Sequence, residues 1–230
     1  MYNWCQDNYH IFRNGNVNCP LLKMEQLFTK RKFNECEICA YHESGHILFA
    51  YLCGYTCRYA ELINEHNEED FASIAVINYG KDSYMVSKLT DLQHNVDYFS
   101  TLALGERLEC IEIGHRLARI FLGGSATAAV FRNNGCAHIE LPMQMDYTDL
   151  LRTEFIDSII RELSIAPEED FIESLLQDAF YTLANQNVWA TIDDLAKRLL
   201  VSRQLNKNDI EECLEEHGIF FDKTFDPIPK

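Results

Sequence analysis

Two histidines and a glutamate fall within one five-residue window, His42-Glu43-Ser44-Gly45-His46, an HExxH pattern. This window constrains the fold more than any other feature. On a helix, residues i and i+4 share a face, so both imidazoles can reach a single metal ion. Glu43 stands beside them, able to take a proton from water that the ion acidifies and to pass it to a leaving amine. The flanking Ile47, Leu48 and Tyr51 are apolar, as a helix that must be buried to hold a rigid site requires. At this composition, chance alone would give such a match in about one chain in forty. Asn34 followed by Glu37 forms a capping-box pair, and Gly54 supplies a stop. The spacing therefore predicts a helix from about residue 35 to 52 with the histidines in its middle.

A catalytic metal needs a third protein ligand and an open position. No further histidine follows at HExxHxxGxxH spacing. The carboxylates Glu61, Glu65, Glu68 and Glu69 are available, but the last three lie in an acidic run that reads as a solvated loop. Asp146 and Asp149 stand three apart where another helix begins. By residue type alone they read as N-capping groups, so the third ligand stays open at this level.

The rest of the chain reads as mainly helical. Residues 1–20 form a polar, loop-rich arm and 21–33 a short helix. Segments 59–63 and 71–79 are rich in β-branched and aromatic residues and predict a hairpin. Helical spacing returns over 91–105 and 107–122, where Gly123-Gly124-Ser125-Ala126 interrupts with side chains small enough for close backbone packing. Asn133-Asn134-Gly135 marks a turn. Further helices are expected at 147–163, 167–186 (with Pro167 at its start), 188–202 and 207–217, and the tail from 220 reads as extended. The expected fold class is mainly α with a small β-hairpin or sheet element. Three parts are expected: an arm and short helix at 1–33, one domain at 34–217, and an extended tail at 218–230.

Charge excludes several classes of partner. Twenty Lys and Arg against 36 Asp and Glu give a formal charge of −16. That surface repels phosphate backbones and anionic lipid, so neither nucleic acid nor a membrane surface is an expected partner. The apolar run at 47–57 is too short to span a bilayer. Residues 1–13 lack a basic stretch followed by an apolar one, and the nine cysteines are an odd number scattered along the chain; both point to a reducing, cytoplasmic setting. No GxxxxGK[ST] phosphate loop occurs, and Gly80-Lys81 lacks the rest of that pattern, so no ATPase is expected. Cys36 and Cys39, three apart on the predicted helix, read as packing residues, and His94, His115 and His138 as isolated surface or core histidines.

Several segments together resemble one family. Ala40-Tyr41-His42-Glu43-Ser44-Gly45-His46 resembles the AYHEAGH of the zinc peptidase domain in FtsH-type, membrane-anchored AAA proteases. Phe121-Leu122-Gly123-Gly124-Ser125-Ala126 is similar to its LLGGRAAEE segment, and Thr148-Asp149-Leu150 to its SNDL segment. Residues 190–200, with Gln204-Leu205-Asn206 and Asp209-Ile210-Glu211, resemble its closing helices. The motifs occur in family order over about residues 34–215. The resemblance implies that His42 and His46 are zinc ligands, that Glu43 is the general base, and that Asp149 is the third ligand with Asp146 the alternative. It implies a zinc-dependent metalloendopeptidase whose partners are a protein or peptide substrate and either a separate ATPase or an FtsH-type protease.

The sequence also departs from that pattern. The family's ATPase module and transmembrane helices have no counterpart here. Ser125 replaces the arginine, Ala128-Ala129 replace the paired glutamates, and the long separation of His46 from Asp149 implies an insertion around 81–105. These departures keep an alternative in view: an inactive, peptidase-like binding or regulatory module that partners a true AAA protease.

Overall fold

Helix α1 (Glu35–Leu52) forms where the capping signals place it. The Glu37 amide donates to Asn34 Oδ1 at 2.7 Å and the Asn34 amide donates back to Glu37 Oε2 at 3.3 Å, so two of the unpaired donors of the first turn are satisfied. At the other end Cys53 caps the helix and Gly54 takes φ +82°, a left-handed conformation that favours glycine. The computed structural model describes residues 34–64, 71–91, 97–133, 147–164 and 170–219. The expected arm and helix at 1–33, the acidic run between the strands, the Pro167 start, most of the tail and Asp146 lie outside those residues.

Helix α1 is central because it is apolar on several sides. Ile47 and Leu48 are fully buried and Phe49 is nearly so, each contributing about 1.5–3 kcal/mol by leaving water. On one side of α1 lies a three-stranded antiparallel sheet in the order β2-β1-β3. Strand β1 (Thr56–Asn64) pairs with β2 (Phe71–Asn78), with a bulge between Cys57 and Tyr59. The expected hairpin is therefore present. The third strand, β3 (Gln204–Asn206), aligns Leu205 with Ala60 and was not anticipated. Three residues carry too little periodicity to read as a strand, and here the pairing partner defines it.

After a 3-10 turn (Gly80–Asp82), helix α2 (Ser83–Thr90) and the single turn α3 (Asp97–Ser100) lead into α4 (Leu104–Arg132). Here the sequence reading needs two corrections. Among the described residues, the helix expected at 91–105 is reduced to the turn at 97–100: Asp91 is extended at the end of α2, and Ala103 is the extended N-cap of α4. The small-residue run at 123–126 does not interrupt a helix but lies inside one that continues to Arg132. Its glycines cost helix propensity yet allow α1 and α4 to touch. A Cβ on Gly45 would lie 2.7 Å from the Gly123 carbonyl oxygen, and one on Gly123 would lie 2.4 Å from the Phe49 ring. The two helices run antiparallel: Tyr41 stacks on Phe131 at 3.7 Å, whereas Cys53, at the other end of α1, meets the Arg116 carbonyl.

Helices α5 (Tyr147–Leu163), α6 (Phe171–Leu183), α7 (Gln186–Ser202) and α8 (Lys207–Glu216) follow close to their expected limits. A core of Leu89, Phe99, Leu117, Ile156, Ile159 and Phe171 joins α2 and α3 to α4, α5 and α6. Helix α5 is thereby fixed against α4, and its first turn faces the histidine-bearing segment of α1. Among the described residues, the protein is mainly helical with one small sheet. Among the described residues, no helix is long and apolar enough to cross a membrane.

Candidate metal centre

Three side chains from two helices converge. His42 and His46, one turn apart on α1, bring their Nε2 atoms to 2.9 Å from each other. Asp149, in the first turn of α5, puts Oδ2 3.2 Å from both nitrogens. A tetrahedral ion with bonds of about 2.0–2.1 Å holds its ligand atoms about 3.4 Å apart, so a shift of a few tenths of an ångström would seat one. Two imidazoles and a carboxylate suit a divalent ion of borderline softness. Asp149 is buried in the first turn of α5, and its Oδ2 faces the histidines.

The imidazoles are oriented by their surroundings. His46 Nδ1–H donates to the Ile120 carbonyl at 2.8 Å. A carbonyl can only accept, so this bond fixes the proton on Nδ1 and leaves the Nε2 lone pair for the centre. Gly124 makes room for the ring: a Cβ there would lie 2.4 Å from His46 Cε1 and 2.6 Å from Nε2. Without an ion, the neighbouring carboxylates favour the charged imidazole. Burial opposes charge on His46, but Asp149, Glu43 and the Ile120 carbonyl outweigh it and raise the imidazole to about 9. Burial likewise opposes charge on Asp149, and the two histidines hold its carboxyl well below the usual carboxylate range.

Glu43 points along the sheet side of the same cleft. It is buried, and Ser73 of β2 donates its hydroxyl to Glu43 Oε1 at 2.7 Å. The cleft measures about 600 Å³. Its walls are α1 at Glu35, Ile38, Cys39 and the HExxH residues, β2 from Ala72 to Ile77, α4 from Ile120 to Arg132, and α5 at Thr148, Asp149 and Arg152. A rigid pair of nitrogens, a carboxylate, a buried glutamate held by a serine, and an open groove along a strand together suit hydrolytic chemistry on an extended ligand.

Other candidates fall elsewhere. Glu61 lies on β1 and joins no metal-ligating cluster among the described residues, and neither do Cys36 and Cys39. Cys36 is buried against the Arg203 guanidinium at 2.8 Å, and Cys39 lines the cleft with its thiol pushed up by burial. His115 packs edge-on against Phe171, while His94 and His138 lie outside the described residues. A second group of ligating atoms, Asp194, Cys213 and His217, joins α7 to α8. There the Asp194 carboxylate already receives Arg198 Nη2 at 3.1 Å, together with the thiol and the imidazole. That arginine supplies the positive charge an ion would bring.

Sequence reading missed Ser73, the Ile120 carbonyl and Arg152. A serine in an alternating strand and a backbone oxygen carry no pattern of their own. Gly123-Gly124 was the one available pointer, as a mark of close packing. No protein-family model matches the chain, and no curated protein matches it.

Proposed function

With no matched family or relative to assign a role, we propose that the protein is a zinc-dependent metallopeptidase, with His42, His46 and Asp149 as ligands and Glu43 as general base. The observation that carries this reading is the convergence of three ligand atoms within 3.2 Å, next to a buried glutamate in an open cleft. When bound, the ion would supply Lewis acidity toward a peptide carbonyl and lower the pKa of water. The protein's own residues do the rest. Glu43 accepts a proton from the attacking water and delivers it to the leaving nitrogen. Ser73 holds Oε1 of that glutamate, leaving Oε2 to work. Ile120 fixes His46 so that the ligand set is preorganised before substrate arrives. The resemblance of the ordered motifs to FtsH-type peptidase domains supports the same reading.

The test is Glu43→Gln in zinc-loaded protein against a pool of unstructured peptides. The expected outcome is unchanged zinc content with hydrolysis reduced by 10²-fold or more, the scale of general acid–base catalysis. Equal cleavage by the variant would refute the assignment of Glu43. Bound zinc with no peptide ever cut by the wild type would refute peptidase activity and favour the binding-module alternative.

A further inference from the structure

Among the described residues, Arg152 of the cleft wall has no carboxylate paired with it. Arg116, Arg119, Arg161 and Arg198 each lie within 4.0 Å of an Asp or Glu. Arg152 is half-buried in the cleft wall, and among the described residues it makes no ion pair. Its guanidinium lies over the Phe121 ring at 5.5 Å. That contact holds the guanidinium beside the ring, and among the described residues no hydrogen bond or ion pair occupies its N–H groups. Asp149, one turn earlier on α5, is committed to the histidines. The other cleft arginine, Arg132, follows Phe121 by eleven residues on α4, about 16 Å further along the groove. Arg152 therefore marks one end of the cleft, beside the metal ligands, with a preoriented positive charge.

We propose that Arg152 selects peptides bearing a carboxylate at its end of the cleft, so that the substrate class is acidic at that position. This rests on the peptidase reading for the ligand being a peptide, and it concerns recognition rather than hydrolysis. The carboxylate has two sources, an aspartate or glutamate side chain or the C-terminus of the peptide. A planar guanidinium meets either through paired N–H···O bonds. The global charge of −16 makes the local cation matter more, because an acidic peptide is otherwise repelled.

The experiment uses the full chain loaded with zinc and one flexible peptide frame. The frame carries Glu, Gln or Lys at successive positions, each made as the C-terminal acid and as the amide. Cleavage is read as kcat/KM, and binding to the Glu43→Gln protein is read by fluorescence anisotropy. The expected result is a preference of about tenfold or more for the carboxylate-bearing member, as for a charge-assisted pair. That preference falls to about one in Arg152→Gln and is partly restored in Arg152→Lys. Dependence on the side-chain arm identifies an internal acidic residue, and dependence on the acid/amide arm identifies the chain terminus. Zinc affinity of both variants at the wild-type level separates lost recognition from lost folding. Arg152-dependent binding without hydrolysis would sustain this proposal and sink the peptidase reading. Binding and cleavage indifferent to the carboxylate, or a preference that survives in Arg152→Gln, would overturn it.

Discussion

Replacing Gly124 with alanine perturbs the metal centre through a single methyl group. The added Cβ would stand 2.4, 2.6 and 2.7 Å from His46 Cε1, Nε2 and Nδ1. Carbon atoms in contact settle at about 3.5–4.0 Å, so the imidazole or the α1–α4 spacing must give by about 1 Å. The ring has no slack in that direction, because Nδ1 is tied to the Ile120 carbonyl and Nε2 is shared with His42 and Asp149. Disturbing a group that orients a ligand typically lowers metal affinity 10- to 100-fold, about 1.4–2.7 kcal/mol. Alanine would gain up to about 1 kcal/mol of helix propensity at this interior position, against about 1–3 kcal/mol for overpacking. The metal-free variant should therefore be less stable by about 1 kcal/mol, read from urea midpoints at constant slope. Gly105→Ala is the control, since a Cβ there meets nothing within 4 Å. Competition titration with a chelating dye measures the affinity. A Gly124→Ala protein that binds zinc within twofold of wild type would refute the argument that this glycine exists to seat His46.

Three further outcomes concern the metal centre and the cap of α1. In metal-free protein the raised His46 pKa stabilises the fold fully below the unfolded value of about 6.5, and that contribution is lost as pH rises through about 9; the depressed Asp149 value contributes above about 4 and is lost on acidification. Zinc must displace the His46 proton, so calorimetry in buffers of different ionisation enthalpy should find about one proton released per ion near pH 7, falling away above pH 9. Asn34→Ala removes the Oδ1 acceptor of the Glu37 amide, leaving the backbone amide of residue 34 on Glu37 Oε2, and should cost about 1 kcal/mol in urea unfolding, with zinc affinity little changed because the cap lies two turns from His42.

What could be read from the sequence was local in origin. Helix α1 carries its cap, its stop and its paired histidines within about twenty residues; the cap and the stop appear as expected, and the two imidazoles share one face. The hairpin strands show themselves by β-branched and aromatic content. What could not be read depends on distant partners. Strand β3 exists because β1 offers an edge, and the α4 glycines are tolerated because Phe49 and His46 fill the space a side chain would take. Asp149 is the instructive case. Its position near a helix start favours capping on local grounds, and only the packing of α5 on α4 carries its carboxylate to α1. Ser73 reaches Glu43 for a similar reason, through strand register that no short pattern encodes.

The central claim is that α1 and α5 together hold one zinc ion through two imidazoles and a carboxylate. X-ray absorption at the zinc edge, on protein loaded with one equivalent, addresses it directly. The account predicts nitrogen and oxygen scatterers alone at about 2.0–2.2 Å, with the outer-shell signature of two imidazoles, falling to one in His46→Ala. A sulfur shell at about 2.3 Å, or a spectrum unchanged by His46→Ala, would contradict it.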